Sequence, residues 1–192
     1  MCKTCQTNPV YIFTNKRQLC KRCFINYFQK KFFYINRKFS MMRQREIIGY
    51  NNKSANGRGN FKDVVLEEML KIFSKKLHIQ LIKLPSKKRI DKLAVSSTLD
   101  SEAYEITDIL INNNYGELKK IKPIVKIKWR IIIKPLYLFL NEEIFLYAKL
   151  RKLKFKNIEK DKNKLRRFIN ELEQKHPEIK RAIVNSFLKL YI

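Results

Sequence analysis

The segment YNNKSANGRGN, residues 50–60, decides the type of fold, because it joins two runs of different character. The mainly apolar residues 46–50 before it predict a β-strand. Residues 61–76 after it carry apolar side chains at helical spacing and predict an amphipathic helix. A strand, a glycine-bearing loop and a helix in this order is the arrangement in which a helix N-terminus binds phosphate. The segment therefore predicts an α/β unit with a candidate phosphate-binding loop.

Strands and helices continue to alternate after this segment. Residues 78–84 and 92–95 are predicted strands, and residues 99–112 form a predicted helix with acidic residues near its start. Such alternation predicts an α/β fold, with a reduced, Rossmann-like parallel sheet and helices packed on it. Ligands of these sheets bind at the carboxyl ends of the strands, which here are residues 51–60 and 96–101.

The last third of the chain is predicted to be helical. Asn141 is a candidate cap for a helix over residues 142–152, and Asp161 for one over residues 162–175. Pro177 suits the first turn of a third helix, over residues 178–190. Trp129 lies in a basic stretch and is expected to pack against apolar neighbours, with stacking on RNA as the alternative.

All four cysteines of the chain lie near its start, in two Cys-x-x-Cys pairs separated by fourteen residues. Two such pairs supply the four thiolates of a tetrahedral zinc site without needing a large core. The sequence therefore predicts a structural zinc ribbon over residues 1–24, with a hairpin whose turn lies near Asn15. Two disulfides and an iron–sulfur cluster are the alternatives. The predicted ligands are Cys2, Cys5, Cys20 and Cys23.

The stretch after the cysteines is rich in aromatic and basic residues. Its apolar side chains recur at helical spacing and are expected to pack on the ribbon or on the rest of the chain. The basic side chains between them are expected to face outward, where they would contact RNA phosphates. Residues 25–45 are thus predicted to be a basic, aromatic linker helix. The candidate RNA-binding residues are Lys30, Lys31, Arg37, Lys38, Arg43 and Arg45.

The charge of the chain favours a polyanionic partner. Forty-three Lys and Arg residues against 17 Asp and Glu residues give a formal net charge of +26, while 45% hydrophobic residues suffice for a core. Neutralised phosphates release counterions, so nucleic acid is the expected ligand. No apolar run reaches the roughly 18 residues of a membrane span, and the start of the chain has no signal-peptide core. We therefore expect a cytoplasmic protein with no membrane association.

Several segments resemble the tRNA 2-thiolation proteins, which belong to the PP-loop ATP-pyrophosphatase superfamily. The second cysteine pair with the basic helix after it resembles their N-terminal zinc ribbon. KLAVSSTLDSEA, residues 92–103, resembles their strand and turn ending in His-x-Leu-Asp-Asp-Glu-Ala. KPL at residues 134–136, followed by NEEIFLYA at residues 141–148, resembles a later segment, and residues 165–177 and 186–190 resemble the closing helices. In that family, residues 46–192 would form a degenerate PP-loop domain.

The sequence departs from the catalytic members of that family at the residues that do the chemistry. Catalytic members carry Ser-Gly-Gly-x-Asp-Ser after the first strand, and this order is absent here. Asp100 is retained, but Ser101 and Ser97 replace the second acidic residue and the histidine of the later motif. No cysteine follows Cys23, so the body has no thiolate for sulfur transfer. The degenerate loop retains Lys53, Ser54, Gly57, Arg58 and Gly59.

The resemblance implies a non-catalytic subunit that binds tRNA in the complex that 2-thiolates its wobble uridine. Its implied partners are tRNA, a catalytic paralogue and, through the complex, a ubiquitin-like sulfur carrier. Zinc is the implied cofactor, and ATP binding is not expected. One alternative is a residual ATP-dependent enzyme, in which the loop residues hold phosphates and Asp100 holds magnesium. The other is an RNA- or ribosome-binding protein that kept the fold and lost the pathway.

Overall fold

The computed structural model describes residues 1–51, 59–156 and 163–191. The chain begins with a small antiparallel hairpin of β1 (Tyr11–Ile12) and β2 (Gln18–Leu19), in which Tyr11 pairs with Leu19. The first long helix, α1 (Lys21–Lys38), follows directly. It begins inside the range expected for the ribbon, because Cys20 occupies its N-cap position.

A five-stranded sheet forms the centre of the body, with strand order β4-β3-β5-β7-β6. Four strands are parallel, and β6 pairs antiparallel with β7 at one edge. This arrangement confirms the predicted α/β fold class with a mainly parallel sheet. The strands are β3 (Ile47–Asn51), β4 (Gln80–Leu84), β5 (Lys92–Ala94), β6 (Ile124–Ile127) and β7 (Arg130–Ile133).

Helices connect the parallel strands and close the chain, as expected. A 3₁₀ helix at Tyr115–Lys120 leads from the third helix to the β6–β7 hairpin. No helix within the described part of the chain is long and apolar enough to cross a membrane. The remaining helices are α2 (Phe61–Leu77), α3 (Leu99–Ile111), α4 (Asn141–Leu150), α5 (Lys164–Lys175) and α6 (Ile179–Tyr191).

Two local expectations are corrected at helix ends. The strand expected from residue 78 begins at Gln80, because α2 continues to Leu77 and His78 ends it in the left-handed conformation, with φ of 51°. Asn141 is the first residue of α4 and not its cap. The N–H group of Asn141 instead donates to Asp100 Oδ2 at 2.7 Å, so a carboxylate from α3 caps this helix.

The ribbon and the sheet share one hydrophobic core. Leu19 of β2 and Phe24 of α1 belong to the same buried cluster as Ile48 of β3. Further along α1, the ring of Phe28 stacks on Tyr147 of α4, with centroids 4.2 Å apart. Burial of side chains this large dominates core energetics, so α1 fixes the ribbon against the body. A second cluster lies between α3 and α6.

Candidate functional site

The four cysteines converge at the start of α1. Cys2 and Cys5 lie in the N-terminal turn, which a hydrogen bond from Lys3 N to Gln18 O of β2 holds at 3.1 Å. Cys20 and Cys23 lie at the N-cap and in the first turn of the helix. The four sulfur atoms all lie within 4.8 Å of one another. Cys5 Sγ is 3.3 Å from Cys20 Sγ and 3.7 Å from Cys23 Sγ.

The surroundings of the cysteines favour thiolates at two of the four positions. Hydrogen bonds from backbone amides, chiefly that of Cys20, lower the pKa of Cys2 to about 6. A hydrogen bond with the Thr7 hydroxyl lowers the pKa of Cys20. Burial and, to a smaller extent, the neighbouring thiols raise the pKa of Cys23 to about 12. Thiolates this close together repel, so a shared cation is the natural way to ionise all four.

This arrangement fits the predicted metal site. The four thiols form a closed set, with two ligands from each of two chain turns and a helix N-terminus beside them. A set of four sulfurs with no open position is typical of structural sites, which hold a metal without exposing it to substrate. The cysteines are free thiols, and their positions suit a metal ion.

The candidate nucleotide loop lies mostly outside the described residues, which omit Lys53, Ser54, Gly57 and Arg58. Gly59 is buried, and its carbonyl oxygen accepts a hydrogen bond from Lys156 N at 3.0 Å. Next to it, Asn60 caps α2, because its Oδ1 accepts from Lys62 N at 3.0 Å. The end of the loop is thus held by α2 and by the chain after α4.

Asp100 lies at the carboxyl end of the sheet, where the sequence places it, but its carboxylate already has protein partners. Oδ2 accepts from Asn141 N, and Oδ1 lies 2.6 Å from the ammonium group of Lys180 in α6. Lys180 also pairs with Glu173 of α5. The described residues leave a cavity of only about 50 Å³ here. Asp100 therefore ties its own helix, α3, to α4 and α6.

Ser97, which stands where the resembling family has its histidine, and its neighbour Ser96 also have partners within the protein. Ser96 donates to Asp63 Oδ1 at 2.5 Å, and Ser97 donates to Glu102. Glu102 is 1% exposed and pairs with Lys134 at 2.9 Å. Burial raises the pKa of Glu102, and Lys134 partly opposes that rise. Both residues lie in the segments that resemble the family, but they are 32 positions apart, and neither spacing nor periodicity indicates that they pair.

The basic residues of α1 divide into two groups. Lys30, Arg37 and Lys38 are exposed, as expected. The expectation that Lys31 faces outward is wrong, because its side chain is only 13% exposed and binds both oxygens of Glu143, at 2.7 and 3.0 Å. Burial lowers the pKa of Lys31, and Glu143 opposes that change. Arg43 and Arg45, in the segment after α1, are also exposed.

Trp129 corrects another expectation. It lies in the turn between β6 and β7, and its side chain is 79% exposed instead of packed. Arg130 Cζ lies 5.7 Å from its ring centroid. The turn extends beyond the sheet, so no neighbouring element covers the ring within the described part of the chain.

Comparison with known proteins shows the fold. No family model matches the chain, and no curated protein matches it. Among solved structures, it is similar to the U34-tRNA thiolase NcsA from Methanococcus maripaludis, described with its 4Fe–4S cluster. The TM-score is 0.74 at 15% sequence identity, and the match covers 100% of this chain and 87% of that chain. The chain therefore has the α/β fold of that thiolase, with a mainly parallel sheet and C-terminal helices.

Proposed function

We propose that this chain is a non-catalytic, tRNA-binding subunit of a complex that 2-thiolates the wobble uridine of cytosolic tRNAs. The fold shared with a U34-tRNA thiolase supports a role in tRNA thiolation. The net charge of +26 supports tRNA as the ligand. In this proposal the protein is cytoplasmic and positions tRNA for a catalytic paralogue, which receives sulfur from a ubiquitin-like carrier.

The distribution of cysteines carries the non-catalytic part of the proposal. Sulfur transfer through a protein needs a thiolate near the reacting base, or an iron–sulfur cluster held by thiolates. All four cysteines of the chain lie at or before residue 23, and their sulfurs form one closed set. A substrate of this fold would bind at the carboxyl ends of the strands. The segments that follow these strands contain no cysteine, so they supply neither a thiolate for sulfur transfer nor a ligand for a cluster.

The contacts of Asp100 also argue against a residual ATP-dependent enzyme. Magnesium bound with nucleotide phosphates requires carboxylate oxygens that are free to accept it. Both oxygens of Asp100 are occupied, one by the start of α4 and one by Lys180. A metal ion there would have to displace an ion pair whose lysine side chain is 6% exposed.

The distances between the cysteines favour a single zinc ion over a cluster. A tetrahedral site with zinc–sulfur bonds of about 2.3 Å has sulfur–sulfur edges of about 3.8 Å. The separations of 3.3 and 3.7 Å from Cys5 are close to that edge. In a four-iron cluster each thiolate binds a different iron, which spreads the sulfurs further apart. We therefore propose that zinc holds the ribbon together and takes no part in a reaction.

The decisive experiment removes the chain and measures 2-thiouridine in tRNA by nucleoside mass spectrometry. Deletion of its gene should abolish the modification, and re-expression of the chain should restore it. In a purified reaction, the chain alone should give no 2-thiouridine, whereas the chain and its catalytic paralogue together should. Unchanged 2-thiouridine in the deletion strain would refute the proposal. Heat on titration of the isolated chain with millimolar ATP and magnesium would instead favour the residual enzyme.

A further inference from the structure

An open groove lies between the C-terminal half of α1 and the last turn of α2. We call it the α1–α2 groove and define it by Lys30, Phe33, Tyr34, Asn36, Arg37 and Arg43 on one side, and by Phe73 and Lys76 on the other. Its volume is about 680 Å³, within the usual range for small-molecule sites. The groove lies at the last turn of α2, a helix of 17 residues, and so at the opposite end of this helix from its cap Asn60.

The wall of the groove is aromatic and held in place. Phe33 of α1 stacks on Phe73 of α2, with ring centroids 5.1 Å apart and an interplanar angle of 26°. Phe73 is buried, so the pair is anchored in the core. Tyr34, by contrast, is 50% exposed, and no aromatic side chain among the described residues stacks on its ring. A planar ligand that enters the groove therefore meets aromatic surface.

The charge around the groove is entirely positive. Four cations line it, and no carboxylate does so among the described residues. Lys76 Nζ lies 4.4 Å from the centroid of Phe33, which places its charge beside the aromatic wall. Lysine and arginine at the rim with aromatic rings inside is the combination that binds single-stranded nucleic acid, since the cations hold phosphates and the rings stack on bases.

Asn36 adds an unpaired polar group to the same wall. Its side chain is 1% exposed, and its Nδ2 donates to Phe32 O at 2.9 Å, but its Oδ1 has no hydrogen-bond partner. A buried acceptor without a partner costs free energy and calls for an explanation. Every nucleobase carries at least one N–H donor on its pairing edge, so a rotation of the Asn36 side chain toward a base in the groove would give this oxygen the partner that it lacks.

We infer that the α1–α2 groove is a subsite for one unpaired nucleotide of the bound RNA, with its base stacked on Tyr34 and its phosphates held by the basic rim. The inference rests on the proposed function, because it takes RNA as the ligand. A base within a duplex is stacked on both sides and is out of reach of the groove, so the subsite selects loops and single strands.

The test compares RNA binding by two exposed aromatic residues in different parts of the molecule. A fluorescein-labelled ten-nucleotide oligouridine, a labelled 16-base-pair RNA duplex and bulk tRNA serve as probes in anisotropy titrations of the full chain. Tyr34→Ala should weaken oligouridine binding about 5- to 150-fold, the usual range for loss of one stacked base, and leave duplex binding unchanged. Tyr34→Phe keeps the ring and should bind as the wild type does. Tyr115→Ala, the matched control at another exposed aromatic residue, should also leave oligouridine binding unchanged.

The outcomes separate the groove from the proposed function. If the wild type binds tRNA and oligouridine but Tyr34→Ala has no larger effect than Tyr115→Ala, the groove inference is wrong and the proposed function stands. If the wild type binds none of the three RNAs, both fail. If Tyr34→Ala weakens binding of polyglutamate as strongly as that of oligouridine, the occupant is an acidic polypeptide and the inference is overturned.

Discussion

At the scale of single residues, Lys30 and Lys31 show how one position along a helix changes the role of a side chain. Lys30 is exposed at the rim of the α1–α2 groove. Lys31 points toward α4, where it binds Glu143, whose side chain is fully buried. Glu143 also accepts a hydrogen bond from Leu140 N at 2.9 Å, so the pair fixes the start of α4 against α1.

Replacement of Lys31 should destabilise the protein far more than replacement of its neighbour. Lys31→Met leaves a buried carboxylate without its main partner and should lower the free energy of unfolding by about 3 kcal/mol, the lower end for a broken buried pair. The lower end applies because Arg181 lies 3.8 Å from the same carboxylate. Lys30→Met, the matched control, should change it by less than about 0.5 kcal/mol. Urea titrations measure both, and equal effects would contradict this account.

The sequence predicts part of this residue-scale arrangement. Helical spacing correctly places Phe24, Phe28 and Phe32 in the core. It does not reveal the partner of Lys31, because that pair joins positions 112 residues apart and depends on how α1 packs on α4. Periodicity identifies which residues share a helix face. Whether a residue at the border of that face is buried or exposed depends on the element that packs beside it.

At the scale of elements, α1 is the connection between the four-cysteine site and the sheet. Its first turn supplies Cys23, and the next positions place Phe24 and Phe28 in the shared core. Tyr11 of the ribbon adds its ring 5.0 Å from that of Phe24. Loss of the metal is therefore expected to loosen the contacts of the ribbon with the body as well as the ribbon itself.

Removal of the metal should accordingly lower the stability of the whole chain. We expect a single zinc ion per chain by elemental analysis, and chelation should lower the melting temperature because metal binding and folding are coupled. Cys5→Ser should lose the metal on dialysis. Thr4→Ala, an exposed neighbour between two of the ligands, should retain it. Iron in place of zinc, or an unchanged melting temperature after chelation, would contradict this prediction.

The elements of the sheet were predictable except at one edge. The strands β3, β4 and β5 and the helices α2 and α3 lie where apolar periodicity predicts them, within two residues. The β6–β7 hairpin was not predicted as a pair of strands. Its turn contains Lys128, with φ of 52°, followed by Trp129, and lacks the glycine or asparagine that usually marks such turns. A hairpin whose turn has no glycine or asparagine is stabilised by strand pairing within the sheet, and its local sequence does not predict it.

At the scale of the whole molecule, the positive charge is spread over more than one surface. The α1–α2 groove lies near the last turn of α2, whereas the nucleotide loop precedes its first turn. Among the described residues, Lys62 in the first turn of α2 and Lys76 at the groove place basic side chains near both ends of this helix. A tRNA that contacts both ends would be held along one side of the body, which leaves other surfaces for a partner subunit.

Binding of tRNA should depend steeply on salt. If six or more phosphates are neutralised, the affinity should fall roughly a thousand-fold or more between 50 and 200 mM salt, because counterions are released on binding. Arg37→Ala should reduce the slope of log affinity against log salt by about one unit. Tyr34→Ala should leave that slope unchanged, since stacking neutralises no phosphate. Anisotropy titrations at several salt concentrations measure the slope, and a slope near zero would contradict the prediction.

Lysines on the two edge strands of the sheet also affect how copies of the protein associate. Strands β4 and β6 are the outermost strands, and an uncovered edge strand offers hydrogen bonds to any passing chain. Each carries an exposed lysine in its second half, Lys83 in β4 and Lys126 in β6. Charges at these positions oppose edge-to-edge aggregation. The excess of lysine thus also opposes association between copies of the protein, so that its colloidal stability and its proposed affinity for nucleic acid would have a common origin.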